Sequence, residues 1–145
     1  MSITRTSIIA IARTWIGTPY HHQASLKGTG ADCIGLVRGI WRELFGEEPE
    51  RLPAYSGDWA EATGRETMLQ AASRHLVPIE PQIVREGDVI VFRLRAEAVA
   101  KHVGVVSDLG RMIHAQEGAP VAEVNIGPWW RRRIAGAFSF PNVID

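Results

Sequence analysis

The chain has 145 residues, 46% of them apolar, with 16 basic and 16 acidic side chains and a formal net charge of zero. That length and apolar content fit one folded domain over residues 1–145, able to bury a core without staples, and exclude a disordered chain. Balanced charge offers no concentrated basic surface for nucleic acid, the single cysteine excludes an intramolecular disulfide or a four-cysteine zinc site, and no apolar run reaches membrane-spanning length.

The first apolar stretch, Ile8-Ile9-Ala10-Ile11-Ala12, is short and closed by Arg13. It is no signal-peptide core, so synthesis in the cytoplasm without an export signal is expected. Ile8, Ile11, Ala12 and Trp15 recur at helical spacing and predict a helix over 4–16, capped by Thr4 or Ser7. Gly17-Thr18-Pro19 ends it, and 20–31 reads as a loop broken by Gly28 and Gly30. A second helix is predicted over 33–45, with Asp32 as its N-cap and Gly46 as its stop. Ile34, Val37, Ile40, Trp41 and Leu44 form its apolar face. Residues 47–59 read as an exposed connection and about 60–76 as a third helix, with Pro78 and Pro81 closing that section.

From Gly87 the period changes to that of strands. Strands are expected over 88–94, 102–107, 112–116, 121–124 and 134–140, with Asp108-Leu109-Gly110 as a hairpin turn. Helices first and strands later predict an α+β domain with an antiparallel sheet.

The single cysteine, Cys33, opens the second helix. A helix N-terminus and a nearby imidazolium both favour the thiolate, the nucleophilic form of cysteine. His102 is the candidate for that imidazole and for returning the proton to a leaving amine. A third group must orient the ring, and His114 is the candidate. A hairpin turning at 108–110 would bring 102 and 114 to adjacent strands, and to one face only if no bulge intervenes. The competing reading is a buried, inert cysteine with two structural histidines.

Five segments occur in an order that resembles the NlpC-like cysteine peptidases. They are Gly17-Thr18-Pro19-Tyr20, Asp32-Cys33-Ile34-Gly35-Leu36-Val37, Gly87-Asp88-Val89-Ile90-Val91-Phe92, His102-Val103-Gly104-Val105-Val106 and Ile113-His114-Ala115. The resemblance spans 4–140 and implies a papain-like α+β fold, with N-terminal helices packed on an antiparallel sheet, acting on cell-wall peptides. It implies Cys33 as nucleophile, His102 as base and His114 as orienter, and it sets Tyr20 beside the nucleophile to position substrate or the oxyanion. It implies no cofactor. Two departures stand out: Ile34 replaces the usual serine after the nucleophile, and His21-His22-Gln23-Ala24 replaces an aromatic followed by glycines.

Small members without a leader resemble phage-type wall peptidases, including those of gene transfer agents. That implies a peptidoglycan peptide as substrate, phage-like tail hub or tip proteins as partners, and action in the cell wall of a target cell, without membrane insertion.

His21 and His22 are candidates to line the substrate cleft, and Asp32 is a candidate for the cleft as well as a cap. A metal on His21, His22, Asp32 and His102 lacks any close-spaced ligand motif, so none is expected. His75 is expected at a helix C-terminus. Gly35 is expected to permit close packing beneath the nucleophile. Trp129-Trp130-Arg131-Arg132-Arg133 admits two readings: a contact with a tail protein or acidic wall groups, or two tryptophans near the core beside a solvated basic turn.

Overall fold

A computed structural model describes residues 2–50 and 64–145. The first helix, α1 (Arg5–Thr14), starts on a reciprocal capping box: the Thr4 hydroxyl accepts from Ser7 N–H at 3.1 Å, and the Ser7 hydroxyl accepts from Thr4 N–H at 3.3 Å. The expected 20–31 loop holds a small antiparallel hairpin, β1 (Ser25–Leu26) and β2 (Gly30–Ala31). It leads into α2 (Cys33–Phe45), which stops at Gly46 with φ of 93°. The predicted third helix begins later than expected, as α3 (Thr67–His75). Positions 51–59 of the expected connection and 60–63 of the expected helix lie outside the described residues.

The sheet has six antiparallel strands in the order β3-β8-β4-β5-β6-β7. They are β3 (Val77–Ile79), β4 (Val89–Phe92), β5 (His102–Asp108), β6 (Arg111–His114), β7 (Ala122–Asn125) and β8 (Ile134–Ser139). Among the elements that escaped the sequence reading are a strand and a helix. Strand β3 contains Pro78, and it is tolerated because β3 is an edge strand that pairs only with β8. The short helix α4 (Pro128–Arg131) follows Gly127 and carries proline at its first position.

Alternation splits the central strands between two cores. Val89, Val91, Val103 and Val105 face Ile8, Ala12, Leu36 and Ile40 of α1 and α2. Ile90, Phe92, Val106 and Met112 form a smaller core on the other face, closed by Ile126 and Trp130. Buried Asp88 ties the layers together. Its carboxylate accepts from the Arg5 guanidinium at 2.8 Å, Arg85 N–H at 2.8 Å and the Ser139 hydroxyl at 2.7 Å, so the buried charge is paired and its lone pairs are used.

Helix α2 can seat against the 20–31 loop because Gly35 has no side chain. A Cβ there would lie 1.9 Å from the Ala24 carbonyl oxygen, a backbone atom. The Ser25 hydroxyl donates to the Gly35 carbonyl at 2.5 Å across the same contact. Gly35→Ala should therefore cost at least about 2 kcal/mol of stability through overpacking, and urea unfolding of the two proteins measures it.

Candidate active site

Cys33 is the first residue of α2, held there by the Asp32 cap. One Asp32 oxygen accepts from Gly35 N–H at 2.8 Å and the other from Gln23 N–H at 2.7 Å, so one carboxylate fixes both the helix start and the loop before it. The Cys33 side chain is only 6% exposed, and its Sγ lies 3.8 Å from the Lys101 carbonyl oxygen. It opens on a cleft that it shares with His102, Tyr20, His22, Lys101 and Trp130.

His102 starts β5, opposite Phe92 of β4. His114 ends β6, opposite Gly104. Their rings meet through His102 Nε2 and His114 Nδ1, 2.7 Å apart, with the planes at 87°. Both side chains are buried, at 6% and 4% exposure.

The shared face arises differently from the sequence expectation. The hairpin pairs Asp108 with Arg111, and that register carried on would set His114 opposite Val105, on the face away from His102. A bulge between Val106 and Asp108, with Ser107 as the extra residue, shifts the register by one. Val106 then pairs with Met112 and Gly104 with His114, which returns both histidines to one face. The bulge was expected to separate the rings; it is what unites them. Gly104 keeps the ground between them clear, because a Cβ there would lie 2.7 Å from Met112 Sδ and 3.5 Å from His114 Cβ.

Two other expected site residues have different places. His21 is exposed, and its ring lies over Gly30, where a Cβ would come within 2.6 Å of it. His22, not His21, lines the cleft. Asp32 borders the cleft with a carboxylate already accepting two backbone N–H groups; an acceptor-only anion cannot donate to an oxyanion, so its role is positional. Tyr20 does line the cleft. Burial, Cys33 and Asp32 push its hydroxyl up to about 12, so it stays a proton donor. Trp130 is the site residue whose role the sequence left open. Its ring stacks on His102 at 5.2 Å and 25° and meets His114 edge-on at 5.3 Å.

The charge state also departs from expectation. Burial, then the neighbouring Asp32 carboxylate, pushes the Cys33 thiol up to about 12. The N–H groups of Val103, Ile34 and Cys33 pull it down without winning. Burial, with His114 beside it, lowers His102 to about 3, and burial lowers His114 to about 4. The site thus holds a neutral thiol and neutral imidazoles, not the ion pair that a helix N-terminus alone would favour.

The family model for the NlpC/P60 family matches residues 17–138. The chain belongs to the NlpC/P60 family. It is 25% identical over 137 residues to the gamma-DL-glutamyl hydrolase of Bacillus subtilis, covering 94% of this chain and 29% of that protein. It is 28% identical over 124 residues to the murein DD-endopeptidase MepH of Escherichia coli, covering 84% of this chain and 41% of that one. The chain thus spans less than half the length of these two relatives. The crystal structure of an NlpC/P60 family protein from Bacillus cereus superposes with a TM-score of 0.70 at 22% identity, covering 97% of this chain and 41% of that one. The α+β, papain-like fold expected from the sequence is the fold of these neighbours. Among the described residues no helix is long and apolar enough to cross a membrane, and no group of three or more His, Cys, Asp and Glu side chains is arranged to hold a metal ion.

The two buried rings predict how stability depends on pH. The unfolded chain protonates both near 6.5, whereas the folded chain refuses those protons until about 4 and about 3. Their contribution is complete above pH 6.5 and is lost as pH falls, with a slope approaching about 1.4 kcal/mol per pH unit for each ring. Urea midpoints should therefore drop between pH 7 and pH 5, and the drop should be smaller in a His102→Gln/His114→Gln double variant.

Proposed function

We propose that the protein is a cysteine endopeptidase that cleaves the stem peptide of peptidoglycan. One observation supports this above the others: Cys33 shares a cleft with His102, whose far nitrogen is engaged by buried His114 at 2.7 Å. With His102 Nε2 donating to His114 Nδ1, the second nitrogen of His102, Nδ1, is an acceptor. It takes the Cys33 proton as the sulfur attacks the scissile carbonyl, so the thiolate forms during attack and is not stored beforehand. The oxyanion of the tetrahedral intermediate takes hydrogen bonds from Cys33 N–H and the Tyr20 hydroxyl. His102 then gives its proton to the leaving amine, which leaves a thioester on Cys33. Water attacks that thioester, His102 accepts the water's proton and returns it to sulfur, and the acid is released. The chemistry asks for no cofactor.

The bond favoured by the family resemblance is that between the γ-carboxyl of D-glutamate and the diamino acid. The name of the Bacillus subtilis relative points to a γ-glutamyl bond, whereas that of MepH points to a DD bond. A shared fold alone is compatible with a structural component that turns nothing over, or with an amidase or acyltransferase. The intact trio Cys33, His102 and His114 favours hydrolysis.

Purified protein incubated with sacculi should release soluble peptides, read by mass spectrometry, that vanish with Cys33→Ala. His114→Gln should lose at least about a hundredfold in rate, within the range that general acid–base catalysis supplies. Fragments ending in D-glutamate place the cut at its γ-carboxyl, and fragments opened at D-alanine place it at the DD bond. No release by the wild type rejects the enzyme. Delivery by a phage-like tail, with hub or tip proteins as partners, is a further proposal that rests on the resemblance to phage and gene-transfer-agent peptidases. The protein should then co-purify with such particles, and its absence from them overturns delivery but not catalysis.

A further inference from the structure

The expected nucleophile, base and orienter leave Trp130 without a role, yet among the described residues its ring touches both histidines of the site. It stacks on His102 with centroids 5.2 Å apart and planes at 25°, and it meets His114 edge-on at 5.3 Å. It also packs edge-on against Phe92 at 4.9 Å, the residue opposite His102 on β4. Its own backbone is anchored on both sides. Gly127-Pro128 starts α4, the Arg131 Nε donates to the Ile126 carbonyl at 3.1 Å, and Arg133 Nη1 donates to the Trp129 carbonyl at 2.7 Å. The Arg133 guanidinium also lies 3.8 Å over the Trp129 ring.

We propose that Trp130 is the positioning residue for the His102 imidazole, its indole face fixing the ring plane while the His114 bond fixes the edge. The single hydrogen bond at Nε2 leaves the imidazole able to pivot about the Nε2–Nδ1 line. An aromatic plane against one face removes that pivot. The wall it forms also keeps water from that face of the ring, which adds to the burial that holds His102 neutral. The other titratable groups lining the cleft with His102 are Cys33 and Asp32 at the start of α2, Tyr20 and His22 before it, Lys101 ahead of β5 and Glu117 after β6.

The inference rests on the peptidase reading for what the ring does, and its test separates the two. In substrate-free protein the Hε1–Cε1 signal of His102 is followed against pH for wild type, Trp130→Phe and Trp130→Leu, with Trp130→Met in reserve should leucine prevent folding. Trp130→Leu should move His102 protonation up by about one pH unit or more, and Trp130→Phe, which keeps an aromatic plane, should stay near wild type. On peptide substrate, Trp130→Leu should lower kcat by about tenfold or more with KM within about twofold, and phenylalanine should rescue it. A leucine or methionine variant that titrates and turns over as wild type overturns the inference, as does a phenylalanine variant as impaired as leucine. If the wild type releases no peptide, the titration alone still decides how His102 is held, and only the enzymatic reading fails.

Discussion

The site hangs on one buried hydrogen bond, between His102 Nε2 and His114 Nδ1. Two imidazoles removed from water each need a partner for their polar edges, and here each supplies one to the other. The bond exists only because the β5–β6 ladder is shifted by Ser107; a regular two-residue hairpin would turn His114 into the helical core beside Val105. Ser107 is itself buried, and its hydroxyl donates to Glu123 at 2.7 Å. Glu123 in turn pairs with Arg13 at the end of α1 and with Arg111. The bulge is thus anchored to the first helix and to β7, which holds the register of the histidine pair from outside the site.

The sequence was most legible where one residue type has one physical use. Thr4 and Asp32 before apolar periodic runs, Gly46 after one, and alternating valines from Val89 placed α1, α2 and the central strands to within a few residues. Cys33 and both histidines were singled out through local setting and resemblance. What escaped depended on contacts distant in the chain. Pro78 reads as a strand breaker until β3 is known to lie at the edge. Trp129 and Trp130 are adjacent and alike in sequence, yet Trp129 is largely exposed beneath Arg133 while Trp130 lies against His102. Gly127-Pro128 was the one signal that could have announced the short helix that separates them. His21 and His22 were equally indistinguishable, and only the packing of His21 over Gly30 assigns the cleft to His22. A one-residue bulge leaves no compositional mark at all.

The electrostatics follow from how deep the pair sits. The helix N-terminus gives Cys33 the N–H groups of Cys33 and Ile34, and β5 adds that of Val103, but the helix also requires a cap, and the cap here is a carboxylate adjacent to the thiol. The device that starts the helix of Cys33 therefore opposes ionisation of its thiol. Burial acts in the same direction on the sulfur, and on His102 it disfavours the imidazolium. A stored thiolate–imidazolium pair would place both charges on atoms buried from water, so both effects disfavour it. In the proposed mechanism, concerted proton transfer during attack avoids that state, because negative charge then passes to a carbonyl oxygen for which Cys33 N–H and the still protonated Tyr20 are the proposed donors. On this view the preorganised part of the site is the neutral framework: the Asp32 cap, the two-histidine bond and the aromatic wall of Trp130. Charge separation is confined to the moment when substrate is present to share it.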